Sequence, residues 1–242
     1  LDIYVTNVLS RRYKTDEGNM LWLNCLDPVC PGGRGFRNIA ESSGTNDGGW
    51  GWCGKFADFN NDGLLDIFTV DGFVSGDLEN NYWYQAQEMV TQTKNQTVDA
   101  RDWPPMGDRD LSGHELCRLF IQVPADGHAS GKEPRFVEAA ERAGLADTYD
   151  GRRIALADFN LDGRIDMYVA NQGAPGCYYV NEPPGGAESK RGFIRLTLVG
   201  KPELGVTVGG RTLVSTRDAV GARVMLRATT GDQIREVQGG MG

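Results

Sequence analysis

A displacement of one hundred residues brings this chain onto itself without a gap, and that repeat constrains the fold more than any other feature. Phe36 falls on Phe136, Ala40 on Ala140, Glu41 on Glu141 and Gly44 on Gly144. Ala57-Asp58-Phe59-Asn60 falls on Ala157-Asp158-Phe159-Asn160, Asp62-Gly63 on Asp162-Gly163, and Asp66 on Asp166. A third, truncated copy opens the chain: Leu1-Asp2-Ile3-Tyr4-Val5-Thr6-Asn7 resembles Ile165-Asp166-Met167-Tyr168-Val169-Ala170-Asn171. Asp2 and Asp66 are 64 residues apart and Asp66 and Asp166 are 100 apart, so the unit is about 60 residues and the second interval carries an insertion. Composition places the insertion at about 76–116, a polar stretch that includes Trp103-Pro104-Pro105 and lacks sustained alternation.

Each unit has the pattern of strands. Leu65-Asp66-Ile67-Phe68-Thr69-Val70 and Ile165-Asp166-Met167-Tyr168-Val169 are short runs rich in aromatic and β-branched side chains. Met20–Leu23 and Leu119–Val123 read as further strands, and Phe136 to Gly144 as a strand entering a helical turn capped by Gly144. The 33 glycines, 10 prolines and repeated Asn-Asp-Gly clusters supply tight turns. A repeat of about 60 residues holding four short strands is the size of one propeller blade. The expected architecture is all-β: blades of a partial β-propeller over 1–190, then a partial β domain over 191–242.

The repeat also duplicates a chemical motif. Asp58-Phe59-Asn60-Asn61-Asp62-Gly63-Leu64-Leu65-Asp66 and Asp158-Phe159-Asn160-Leu161-Asp162-Gly163-Arg164-Ile165-Asp166 both read D-x-N-x-D-G-x-x-D. Calcium is a hard cation that takes six to eight oxygens, and alternating side chains of a tight loop can surround it. Asp58, Asn60, Asp62 and Asp66 would give side-chain oxygens and Leu64 its carbonyl. Asp158, Asn160, Asp162, Asp166 and the carbonyl of Arg164 would do the same in the second loop. Three ionised aspartates in one turn repel one another unless a cation neutralises them. Mg²⁺ suits the loop less well, because it demands a rigid octahedron and retains its waters. An EF-hand begins similarly but needs a glutamate at position twelve and flanking helices, whereas position twelve is Thr69 or Val169 and strand follows. The expectation is one Ca²⁺ per loop.

Charge supports the same placement. The net charge is −8, and six of those negative charges are the loop aspartates. An acidic chain repels phosphate backbones, which argues against nucleic acid as a partner. No apolar stretch reaches the roughly 18 residues of a membrane span. The chain opens within a motif and stops in a Gly-rich turn, as expected of a piece of a longer protein. Five cysteines lack CxxC pairs, and disulfides formed outside the cytoplasm are the better expectation. Cys25–Cys30, around Pro28, is the expected pair and Cys25–Cys53 the alternative.

These loops and their strands resemble the FG-GAP/VCBS repeats of calcium-binding β-propellers, found in integrin α-chain heads and secreted bacterial proteins. The tail adds to the likeness. Gly192 to Leu198, Asp218-Ala219-Val220-Gly221-Ala222-Arg223-Val224 and Gln233 to Gly240 resemble the start of an ASPIC/UnbV domain. That domain follows such a propeller in the cartilage acidic protein family and its bacterial relatives. The resemblance implies a calcium-stabilised binding, adhesion or scaffold module, secreted, periplasmic or on the cell surface, with a protein or glycan partner and a possible place in a larger assembly. The alternative is a secreted enzyme, or a non-catalytic subunit of a complex, with its active site outside this segment. A complete propeller of this type has about seven blades, and the insertion has no counterpart in the basic repeat.

No catalytic constellation is visible. His114 and His128 stand beside no nucleophile signature and read as exposed loop residues. Trp50-Gly51-Trp52 and Tyr82-Trp83-Tyr84 could stack on sugars, although aromatics in strands more often pack blades together. Asn95-Gln96-Thr97 is a glycosylation sequon if the host is eukaryotic.

Overall fold

A computed structural model describes residues 2–9, 18–25, 35–72, 82–92, 99, 101, 103–107, 113–124, 133–183, 192–201, 204–214, 216–228 and 231–237. The chain divides into two compact units, Leu1–Glu188 and Ser189–Gly242.

Among the described residues, the first unit holds three antiparallel sheets. The first joins β1 (Ile3–Val5), β2 (Met20–Cys25) and β3 (Gly35–Asn38) in that order. The second has four strands in sequence order: β4 (Gly51–Ala57), β5 (Asp66–Asp71), β6 (Arg118–Val123) and β7 (Arg135–Glu138). The third joins β8 (Gly151–Ala157), β9 (Asp166–Asn171) and β10 (Cys177–Tyr179). The repeat is therefore a repeat of registers. Ala57 pairs with Asp66 and Gly51 with Asp71, and one hundred residues on Ala157 pairs with Asp166 and Gly151 with Asn171. Even the irregularity recurs, between Gly51 and Cys53 and between Gly151 and Arg153.

The strand β5 is buried along its whole length, and it explains why the sheets stack. Successive side chains of a strand point to opposite faces. Ile67 packs with Leu21, Ile39, Ala40, Phe120 and Phe136, joining the second sheet to the first. Phe68 and Val70 pack with Leu119, Leu145, Ile154, Met167 and Val169, joining it to the third. Each such fully buried side chain contributes roughly 1.5–3 kcal/mol, so both seams depend on this one strand. After β3 the chain makes a short helix α1 (Ala40–Ser43), and after β7 a 3-10 turn at Glu141–Ala143. Both end on a glycine in the left-handed region, Gly44 at φ 82° and Gly144 at φ 80°, which frees the backbone N–H to cap the turn.

The insertion departs from the sequence reading. It carries an 11-residue helix, α2 (Tyr82–Gln92), in the stretch read as polar and without sustained alternation. Gln, Glu, Ala and Met are good helix formers, and their propensity prevails over the β preference of the leading aromatics. Tyr82 and Ala86 are buried, and the Tyr82 hydroxyl donates to the Pro104 carbonyl at 3.0 Å.

In the second unit β11 (Val206–Val208) pairs with β12 (Arg211–Leu213) through Gly209 and Gly210, at φ 58° and 77°. Two positive φ values make the tight turn that matches strand twist. A second hairpin pairs β13 (Arg223–Ala228) with β14 (Gly231–Glu236). No helix among the described residues is long and apolar enough to cross a membrane.

Candidate metal centre

The two D-x-N-x-D-G-x-x-D segments occupy equivalent places, linking β4 to β5 and β8 to β9 at the same end of neighbouring sheets. Each begins where the first strand of its pair, at an edge of its sheet, ends, and each finishes on the first residue of the next strand.

Their side chains close the loops on their own backbones. In the first, the Asp62 N–H donates to both Asp58 Oδ1 at 3.0 Å and Asn60 Oδ1 at 2.9 Å. The Gly63 N–H donates to Asp58 Oδ2 at 2.8 Å and the Leu64 N–H to Asp62 Oδ1 at 2.9 Å. The second loop repeats three of these four bonds. Asp162 N–H donates to Asn160 Oδ1 at 3.1 Å, Gly163 N–H to Asp158 Oδ2 at 3.0 Å, and Arg164 N–H to Asp162 Oδ1 at 2.9 Å. Positions four and six are left-handed in both: Asn61 (φ 56°) and Gly63 (90°), Leu161 (64°) and Gly163 (87°). Glycine and asparagine enter that region readily, while leucine does so under strain.

The ninth position does something that the spacing alone did not indicate. Asp66 is fully buried, and its two oxygens accept the N–H groups of Phe59 at 3.0 Å and Gln122 at 2.8 Å. Asp166 is also fully buried. It accepts from Phe159 N–H at 3.0 Å, Asn181 N–H at 2.9 Å and the Tyr178 hydroxyl at 3.2 Å. Each carboxylate therefore pins the head of its loop to the next strand of its own sheet. Burial pushes the Asp66 carboxyl up to about 6; the Gln122 and Phe59 N–H groups oppose that shift, and Asp62 and Asp58 add to it.

Calcium suits these donors, because a carboxylate oxygen that accepts one N–H keeps a second lone pair. Asp58 and Asn60 share the Asp62 N–H and Asp62 accepts from Leu64, while Asn160, Asp158 and Asp162 accept from the successive N–H groups of Asp162, Gly163 and Arg164. Leu64 and Arg164 follow the turn in each loop. Among the described residues, no group of three His, Cys, Asp or Glu side chains converges into a ready ligand cage. The loop's donor set is mixed, with amide and main-chain oxygens beside the carboxylates.

A residue outside both motifs ties the two loops together. Asn181, just past β10, donates through Nδ2 to the Phe59 carbonyl at 2.7 Å and to the Ile165 carbonyl at 3.2 Å. Asn61 Nδ2 donates to the Gly163 carbonyl at 3.1 Å. Its counterpart is Gln122, whose N–H donates to Asp66 Oδ1 as the Asn181 N–H does to Asp166 Oδ1. The insertion lies between Asp66 and Gln122, so the displacement of one hundred residues does not bring the two together.

The remaining candidates separate. Trp52 is 44% exposed, donates from Nε1 to the Gly72 carbonyl at 3.0 Å, and lies under the Arg152 guanidinium at 4.4 Å. Trp50 bridges to Val8. His114 is exposed on a loop, and His128 and the sequon at Asn95 lie outside the described residues. Cys53, Cys117 and Cys177 are free thiols, which corrects the alternative pair Cys25–Cys53. Cys53 packs into the seam with the third sheet, while Cys25 ends a strand of the first. Cys30, and with it the pair Cys25–Cys30, lies outside the described residues.

No family model matches the chain. Two curated proteins resemble part of it. Cartilage acidic protein 1 from Homo sapiens is 33% identical over 81 residues, 33% of this chain and 11% of that protein. Cartilage acidic protein 1 from Mus musculus is 32% identical over 81 residues, 33% of this chain and 12% of that protein. The match thus spans about a ninth of the relatives' length, and it joins a chain of stacked antiparallel sheets to a protein of that name over a third of its own residues.

Proposed function

We propose that this chain is a segment of a calcium-binding β-propeller of FG-GAP/VCBS type, followed by the start of an ASPIC/UnbV-like domain, and that it serves outside the cytoplasm as a binding, adhesion or scaffold module. The observation that carries the reading is the duplication of one closed loop. Two nine-residue segments one hundred residues apart have the same register, the same left-handed positions and three side-chain-to-backbone bonds in common. Chance turns do not reproduce a donor set and a fold position together. The partial likeness to cartilage acidic protein 1 supports the extracytoplasmic placement.

In this reading the cation organises the scaffold and takes no part in chemistry. Calcium neutralises the loop aspartates and favours the ionised form of Asp66, so binding stiffens the junction of β4 with β5 and of β8 with β9. A protein or glycan partner then meets a surface held by these loops, and the insertion offers exposed Trp103 and Met106 for it. Thermal unfolding tests the metal role. With free calcium a hundredfold above the dissociation constant, each site adds about 2.7 kcal/mol. Asp62→Ala or Asp162→Ala should lower the melting temperature strongly in calcium and little in chelator. Equal losses in the two buffers would remove the metal role.

A further inference from the structure

Asp71 closes β5, at the end of the strand away from the loop, and has no exposed surface. Neither of its carboxylate oxygens has a hydrogen-bond partner among the described residues. Two residues earlier Thr69 is equally buried, and its Oγ1 is also without a partner. Residues two apart in a strand share a face, and this is the face on which Ile67 packs against Leu21 and Ile39 of the first sheet.

Opposite these two residues glycine lets the first sheet approach closely. Thr69 pairs with Gly54 and Asp71 with Gly51. A Cβ at Gly54 would lie 2.8 Å from the Tyr4 ring, and one at Gly51 would lie 3.2 Å from Asn19 Oδ1. Tyr4 and Asn19 thus wall the far side. Asn19 Nδ2 donates to the Tyr4 hydroxyl at 2.8 Å, and that hydroxyl donates to the Thr45 carbonyl at 3.0 Å. The wall is satisfied within itself, and the unanswered oxygens are those of β5.

The repeat shows that this pair is particular to the second copy. The positions of Thr69 and Asp71 are Val5 and Asn7 in the first copy and Val169 and Asn171 in the third. Only the middle copy exchanges an aliphatic for a hydroxyl and an amide for a carboxylate, on one face and two residues apart. Unanswered buried polar groups oppose folding, and a buried charge does so most. Packing therefore accounts for neither exchange. A second negative charge stands close by on Glu115, whose Oε2 accepts the Trp50 N–H at 3.0 Å. Burial first, then Glu115 and Asp47, hold the Asp71 carboxyl well above the ordinary carboxylate range, against the pull of Arg118.

We infer that Thr69 Oγ1 and the Asp71 carboxylate bind a hard cation, of the sodium, potassium or calcium class, in the seam between the first and second sheets. All the donors are oxygen, which selects a hard ion. The site is separate from the calcium loops: five residues of strand place it roughly 16 Å along β5 from Asp66. It stands whether or not those loops bind metal.

The test uses the full chain carrying Asp62→Ala and Asp162→Ala, so that the loops contribute nothing. Melting temperature is followed in choline chloride, and then as sodium, potassium or calcium chloride replaces choline at constant ionic strength. At least one of these salts should raise it by several degrees. Asp71→Asn and Thr69→Val install residues that the other copies already carry at these positions, so the fold accepts them. Asp71→Asn should abolish the salt response and raise the melting temperature in choline, and Thr69→Val should at least halve the response. A parent chain that responds to none of the three salts, or an Asp71→Asn chain that responds as fully as its parent, overturns the site and leaves Asp71 a buried protonated acid.

Discussion

The two loops share a motif and a register, yet they differ in how much protein surrounds them. Phe59 in the first is 7% exposed and belongs to the core between the second and third sheets. Phe159, its copy, is 51% exposed and rests edge-on against Tyr178 at 5.5 Å. The first loop is also held by its neighbour, through Asn61 to the Gly163 carbonyl and through Asn181 to the Phe59 carbonyl. Hydrogen bonds internal to the loop are nearly the same in both, so the motif sets local shape and the adjoining sheet sets burial. A repeat motif therefore reports geometry faithfully and energetics poorly.

The strongest way to break this comparison is to remove the two aromatic rings. Phe59→Ala should cost about 3–5 kcal/mol of unfolding free energy, the usual loss for a core aromatic. Phe159→Ala should cost under about 1.5 kcal/mol, because half of that ring is already in water. Denaturant unfolding of the two variants side by side measures both, and equal losses would show that the adjoining sheet does not protect the first loop.

Asn181→Ala sharpens the same contrast at smaller scale. It removes donors to the Phe59 and Ile165 carbonyls, and a lost hydrogen bond of this kind costs about 0.5–1.5 kcal/mol. Its particular signature is coupling. In the intact chain, Asp162→Ala should weaken calcium binding at the first loop, and with Asn181→Ala present that cross-effect should shrink. Calcium titrations of the single and double variants form the cycle that measures it.

The smallest effect expected is on pH dependence. Asp66 is pushed up to about 6, above the ordinary carboxylate value. The folded chain therefore holds that proton more tightly than the unfolded one. The stabilisation is complete below the ordinary value and is lost as pH rises through about 6. Burial pushes Asp71 in the same direction. In chelator the chain should thus gain stability from these groups between pH 7 and pH 5. Calcium favours ionised carboxylates, so in saturating calcium the gain should vanish or reverse. A melting series in both buffers reads the two slopes.

Much of the fold was legible because repetition amplifies weak local signals. Asp66 and Asp166 start strands, Met20 and Leu119 lie in strands, and Gly144 caps a turn, all as their patterns indicate. The helix α2 was not legible, since the insertion has no second copy and is a polar stretch without sustained alternation. The sequence pattern also identified the loop aspartates without distinguishing their work. Asp58 and Asp62 fold the turn, whereas Asp66 and Asp166 fasten it to neighbouring strands, a difference that depends on Gln122 and Asn181 far along the chain. Thr69 and Asp71 were visible as departures from the Val-x-Asn of the other copies. Their burial, and the absence of partners for their oxygens among the described residues, emerged only when the sheets were stacked.

The most direct measurement of the central claim is a calorimetric calcium titration of the chain beside Asp62→Ala, Asp162→Ala and the double variant. The account predicts that the intact chain binds two more calcium ions than the double variant, and that each single variant loses one of them. Identical stoichiometry in all four proteins would contradict it and reduce both loops to hydrogen-bonded turns.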